Sequence, residues 1–340
     1  MIDPHVHLRD GEQLYKETIR HGLSVAERIG IAGVFDMPNT QPPILRRENI
    51  LRRLDCANRA ESSVFYGLYC GVTSNPEQIR EAVSCTREFD QVVGLKLFAG
   101  KSTGNLSIPD TASQSLVFRT LAEEKYSGVL AIHCENESDF KPQVWDPEKP
   151  FTHTQARPPI AEINSIKNMI GLADRAGFIG ILHICHISLP ESVEILEKAR
   201  ERVNFRLTCG VTPHHILLYD MIMKKNDGLL LKMNPPLRSK EARDILFQML
   251  LNERIDWIET DHAPHRLSEK LGSPFASGIP GFPILPRLLK KLRDKGATPT
   301  LLERITHQNI CDIYGITIPN RPINDIDLFT EYEVNAYKNI

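Results

Sequence analysis

The chain has 340 residues, 41% hydrophobic and 25% charged, with 41 Lys+Arg against 43 Asp+Glu and a formal charge of −2. That is the composition of an ordinary globular chain, long enough for one large domain or two smaller ones, and its near-neutral balance excludes a nucleic-acid arm or capture of polyanions by net field. No run approaches the ~18 uninterrupted apolar residues of a membrane span, and a strand-like run begins at Ile2, so no leader and a cytoplasmic location are expected.

Short apolar, β-branched runs fall near residues 2–7, 31–37, 63–70, 92–98, 128–134, 179–185, 203–209 and 255–260. Helical patterns lie between them near 17–29, 46–60, 76–87, 111–125, 161–176, 190–201 and 241–252, with another near 283–295. Eight strands each followed by a helix predict an α/β chain folded as a (β/α)8 TIM barrel, with a doubly wound sheet as the alternative, since counting units does not show closure. No repeat or Gly/Ser linker divides the chain, so 1–318 is read as one barrel domain and 319–340 as a polar tail with one short strand-like patch. Pro/Gly-rich interruptions follow the strands at 38–43, 100–109, 141–159, 234–236 and 272–283, where a barrel carries its catalytic loops.

Seven scattered cysteines, none spaced Cys-x-x-Cys, argue against a disulfide framework or a thiolate zinc knuckle. Of twelve histidines, eight fall in the pairs His5/His7, His183/His186, His214/His215 and His262/His265, a clustering that surface histidines would not show. His5 and His7, two apart on a strand, project to one face and can reach one metal ion. His133 ends an apolar strand, where a lone histidine is more often a hydrogen-bonded core residue, but His186 ends the next strand in the equivalent place. His183 and His186 are three apart, so on a regular strand only one of them points inward.

Asp261 ends the eighth run, where a carboxylate can bind metal and serve as general base, or simply cap a helix. Lys96, in the apolar strand Val92–Phe98, is costly to bury charged and taken alone would be a salt-bridged or snorkelling side chain. In company its amine can form a carbamate with carbon dioxide, an anionic carboxylate able to bridge two cations. His5, His7, Lys96, His133, His186 and Asp261 all fall at the C-terminal ends of predicted strands. This nitrogen and oxygen donor set without thiolate suits zinc, with manganese, cobalt or iron as substitutes.

These residues lie in motifs, HVHLRD at 5–10, MPNT at 37–40, GLKLF at 94–98, HCE at 133–135, HICHIS at 183–188, MNPPLR at 233–238 and TDHAPH at 260–265. In that order, over residues 2 to about 290, the sequence resembles the amidohydrolase superfamily and within it the dihydroorotases. The resemblance implies a metal-dependent hydrolase barrel holding two Zn2+ ions, His5 and His7 on the first with Asp261, His133 and His186 on the second, and carboxylated Lys96 bridging them. It also implies that Arg9, Asn39, Asn234 and His265 bind substrate together with main chain near Gly278 and Pro280, and that Asp261 is the catalytic acid and base. The activity implied is reversible hydrolysis of L-dihydroorotate to N-carbamoyl-L-aspartate in pyrimidine biosynthesis.

The partner expected is therefore a small molecule, with no nucleic acid and no membrane, and a homodimer is one option for assembly. Many relatives carry a β-sandwich from residues ahead of the HxH strand. Because this chain starts at that strand, the sandwich is expected to be missing. The 100–107 loop is read as a lid or a plain turn, and His214 and His215 as supporting residues. Rival readings are another cyclic amidohydrolase, such as a hydantoinase, dihydropyrimidinase or allantoinase, or a scaffold that has lost the chemistry. Arg9 argues against the first rival, because a substrate without a carboxylate has no use for its guanidinium.

Overall fold

The computed structural model describes residues 1–102 and 105–337. Eight parallel strands follow chain order around one sheet: β1 Ile2–Val6, β2 Gly33–Asp36, β3 Phe65–Gly71, β4 Val92–Phe98, β5 Val129–His133, β6 Ile181–Ile184, β7 Arg206–Val211 and β8 Trp257–Ile258. Closure between β8 and β1 is made just beyond β8, where Val6 and His262 form a parallel bridge and the His7 N–H donates to the His262 carbonyl at 2.8 Å. The architecture is the (β/α)8 barrel.

Local chemistry explains most boundaries. The helix Ile19–Ile29 begins at Thr18, whose side chain accepts the His21 N–H, and stops at Gly30, which takes φ 97°. Asn75 caps Pro76–Glu88 with proline at its first position, and Asp110 caps Thr111–Glu123. The strands are buried almost throughout, as expected when helices cover the outer face of a parallel sheet. At the N-terminal end the barrel is filled by Ile2, Phe35, Tyr69, Ala131 and Trp257, and Tyr314 packs edge-on to Phe35 with ring centroids 4.9 Å apart.

Three regions differ from the sequence reading. β8 shrinks from the predicted 255–260 to Trp257–Ile258, because Asp3 captures the Thr260 N–H at 3.0 Å and the Thr260 hydroxyl at 2.5 Å. Helical turns at Pro299–Glu303, Arg304–Gln308 and Asn309–Tyr314, ended by Gly315 at φ 63°, were not predicted. The strand-like patch in the tail is a 3-10 turn at Phe329–Glu331. That stretch lies against the barrel, burying Leu328, Val334 and Tyr337 and donating the Tyr332 hydroxyl to Glu17 at 2.9 Å. Of the 100–107 loop, read as a lid or a plain turn, Thr103 and Gly104 lie outside the described residues.

Candidate metal centre and active site

The first wall of the site is made by β1 and the segment after β8. His5 and His7 are buried and face the same way. His7 Nε2 lies 2.8 Å and His5 Nε2 3.4 Å from the same Asp261 Oδ1. His7 Nδ1 meets Asn39 Oδ1 at 2.8 Å, which fixes the ring. Each of His5, His7 and Asp261 offers a donor atom within 4.8 Å of the others, a spacing that fits one ion. Burial lowers His7 to about 4, so its imidazole is neutral near pH 7 with a lone pair to give. Burial alone would raise Asp261, but hydrogen bonding and charge from His7, then His5 and His214, hold it well below the usual carboxylate range.

The second wall is made by β4, β5 and β6. His133 Nδ1 and His186 Nε2 lie 3.2 Å apart in a fully buried pair. Burial, with the charges of neighbouring imidazoles, pushes His186 well below its ordinary value, and burial also lowers His133. Among the described residues His186 Nδ1 has no hydrogen-bond partner. His133 Nε2 sits 3.2 Å from Glu135, itself paired with Arg157 at 2.5 Å. Lys96 is completely buried in β4, opposite Ala131 of β5, and its Nζ donates to Cys185 Sγ at 3.0 Å. Burial opposes ionisation of that thiol, but the Lys96 and His5 charges outweigh it and bring Cys185 down to about 5.

One expectation fails here. Both His183 and His186 point into the barrel, not one alone: His183 stacks on Trp257 inside it, with ring centroids 4.4 Å apart, while His186 lines the cavity above. The cause is the backbone of His186, which leaves β6 at φ 38° and breaks the alternation of a regular strand. Asp261 is likewise left-handed, at φ 50°. Non-glycine residues in this region cluster at functional sites, where surrounding structure holds them.

A small cavity opens between the two walls, and Arg9, Asn39, Asn234 and Gly278 line it together with the imidazoles. Arg9 is 1% exposed, and among the described residues its Nε has no hydrogen-bond partner. Among the described residues its Nη1 makes one long contact, 3.5 Å, to the Asn39 carbonyl. The nearby Asp36 carboxylate is taken up by Arg53 and by the Tyr66 hydroxyl. Gly278 sits at φ 132°, and a Cβ there would fall 2.9 Å from the Ala263 side chain and carbonyl, so glycine keeps this edge open.

Three predicted residues stand apart from the cavity surface. Lys96 lies beneath it. His265 is drawn outward, with Nε2 3.0 Å from the Ser277 carbonyl and Nδ1 3.3 Å from Lys16 Nζ, and lines an adjoining outer cavity. Pro280 is buried, because the bridge between His262 and Ile279 presents Gly278 to the cavity and carries the chain past it. His215 is tied to Thr212 Oγ1 at 2.8 Å and to the Pro235 carbonyl at 3.1 Å, which fits a supporting role. Sequence reasoning missed Glu259, a buried carboxylate beneath the cavity. Its signal was an acid two residues before Asp261, a spacing that on a strand places both on one face.

Comparison with known proteins separates fold from family. The L-hydantoinase (dihydropyrimidinase) of Arthrobacter aurescens superposes with a TM-score of 0.80 at 23% identity, over 92% of this chain and 70% of that one. The dihydroorotase of Campylobacter jejuni gives 0.71 at 20% identity, over 95% and 85%. At such identities these likenesses establish the shared barrel. No family model matches the chain. Sequence relatives are more decisive: the dihydroorotase of Methanothermobacter thermautotrophicus is 31% identical over 96% of this chain and 72% of its own length. That of Thermococcus kodakarensis is 34% identical over 93% and 68%. The chain belongs to the dihydroorotase family. It is thus a member of the cyclic amidohydrolases, a metal-dependent hydrolase family, as the motif order implied. Among the described residues of this dihydroorotase-family chain, no helix is long and apolar enough to cross a membrane.

Proposed function

We propose that the chain is a zinc-dependent dihydroorotase that interconverts L-dihydroorotate and N-carbamoyl-L-aspartate in pyrimidine biosynthesis. The observation that carries the substrate assignment is Arg9, a buried guanidinium on the cavity wall whose Nε has no partner among the described residues. A guanidinium kept from water needs an anion, and its planar fork suits a carboxylate.

The donor set fits two divalent cations. His5, His7 and Asp261 already lie at ligand spacing, and His133 and His186 turn ring nitrogens toward each other from the facing wall. Lys96 would join them once carboxylated, moving from Cys185 to bridge the two groups. Bound zinc supplies an activated water at neutral pH and Lewis-acid polarisation of the ring amide. The side chains do the rest. Arg9 and the asparagines Asn39 and Asn234 hold the substrate carboxylate and ring, and His265 shapes the outer approach. This fixes the scissile amide over the metal groups and removes part of the entropic barrier. Asp261, a carboxylate at neutral pH, takes the proton of the attacking water and delivers it to the ring nitrogen as the C–N bond breaks. In the cyclising direction the same oxygen takes a proton from the attacking nitrogen and gives it to the departing hydroxide, which leaves as water.

The barrel superposes well on hydantoinases, so the test is discrimination among rings. Purified zinc-loaded protein is expected to turn over dihydroorotate and to show little activity on hydantoin or allantoin. Activity on only the latter two would assign the site to another cyclic amidohydrolase. We further infer a cytoplasmic enzyme.

A further inference from the structure

We propose that Glu259 is a positioning residue of the metal centre: its carboxylate orients the His5 imidazole and fixes the backbone that carries His186, joining the two walls from below. The inference rests on the reading that His5 and His186 hold metal.

Glu259 is 1% exposed. Its Oε1 accepts the His186 backbone N–H at 2.5 Å and faces His5 Nδ1 at 3.5 Å. Its Oε2 accepts the Trp257 indole N–H at 3.1 Å and pairs with His183 Nε2 at 3.0 Å. One carboxylate therefore touches the β1 wall and the β6 wall at once. Gly210 of β7 makes room for it, since a Cβ there would fall 2.5 Å from the carboxyl group. His183 and Trp257, stacked on each other, clamp one oxygen, leaving the other for His5 and His186.

His5 Nε2 is on the Asp261 side of the ring, so Nδ1 is the nitrogen that looks toward Glu259. Among the described residues that buried Nδ1 has no hydrogen-bond partner, and a slight tilt of the ring would close the gap to Glu259. An imidazole that ligates through one nitrogen is oriented when the other donates to a carboxylate, which fixes its tautomer and raises its basicity. For His186 the mechanism is different. Its left-handed φ of 38° is a conformation a non-glycine residue keeps only when held, and the bond from its N–H to Glu259 is a hold applied at that residue.

A different use of the same atoms is direct ligation, because His5, Cys185 and Glu259 also offer donors within 4.8 Å of one another. One observation weighs against it: both Glu259 oxygens are engaged by donors.

The test is chelator competition for zinc in the full chain and in Glu259→Gln, together with the absorption spectrum of the cobalt-loaded proteins. Glu259→Gln should weaken metal binding by about 10- to 100-fold and lower kcat without a matching rise in KM for dihydroorotate. Trp257→Phe, which removes one donor to Oε2, should weaken binding less and serves if Glu259→Gln does not fold. Unchanged metal affinity in a folded Glu259→Gln chain, with only a lower Tm, would make the residue merely structural. A sulfur-to-cobalt charge-transfer band in the wild type that is absent from Cys185→Ser would place the metal among the His5, Cys185 and Glu259 donors and overturn positioning. A wild-type chain that takes up neither zinc nor cobalt removes the underlying reading as well.

Discussion

The two walls of the site are assembled to different degrees. Between β1 and the segment after β8, His5, His7, Asp261 and Asn39 are already interlocked, with Asp261 Oδ1 shared by two imidazoles. Between β4 and β6, His133 and His186 bring ring nitrogens to 3.2 Å of each other, but Lys96 is turned onto Cys185 beneath the cavity. The difference is chemical. Carboxylates and imidazoles carry donor atoms that need no covalent change, and ordinary hydrogen bonds bring them together. A lysine ammonium is a poor neighbour for cations, and on the proposed reading Lys96 joins them only after conversion to a carbamate.

The largest expected effect falls on the unfinished wall. Lys96→Ala should abolish dihydroorotate turnover, and short carboxylic acids added at high concentration should restore part of it by standing in for the carbamate. Full activity in this variant, measured at saturating zinc, would make Lys96 structural and erase the contrast between the walls. On the finished wall two substitutions should separate chemistry from binding. Asp261→Asn should lower kcat by about 10²- to 10⁴-fold, the usual worth of a positioned acid–base group, whereas Arg9→Met should act chiefly on KM. Equal losses in both parameters for both variants would blur their assigned roles.

A smaller effect concerns what braces the finished wall from outside. Glu17 is buried and bonded to His262 at 3.1 Å, His21 at 3.1 Å and the Tyr332 hydroxyl at 2.9 Å. Burial would raise its carboxyl, but the charges and hydrogen bonds of His262 and His21 outweigh this and hold it at about 2. Because that lies below the unfolded value of about 4.3, the stabilisation is fully present above about pH 4.3 and is lost as pH falls toward about 2. Thermal melts should show Glu17→Gln lowering Tm at pH 7 and narrowing the gap to wild type in acid. A gap independent of pH would mean that Glu17 contributes packing only.

Much of this was legible in the sequence, for identifiable reasons. Strand and helix alternation placed β4 at Val92–Phe98 to the residue, and ligand-type side chains at strand ends picked out residues that the structure gathers on the two walls. What escaped was whatever departs from regular geometry or depends on distant partners. Strand alternation allowed only one inward histidine in His183-Ile184-Cys185-His186, and the left-handed turn at His186 defeats that rule. Glu259 reads as an ordinary polar residue until His5, His183 and His186 are brought to it from two other strands. The tail reads as polar with one strand-like patch, yet Leu328, Val334 and Tyr337 are buried against the barrel, partners that the local pattern does not name.

The most direct test of the central claim is the rate of dihydroorotate hydrolysis as zinc is titrated back, with bicarbonate present, into chelator-stripped protein. The account predicts no turnover in the stripped chain and a rise that saturates at two ions per chain. Undiminished turnover without metal, or none at any zinc level, would contradict it.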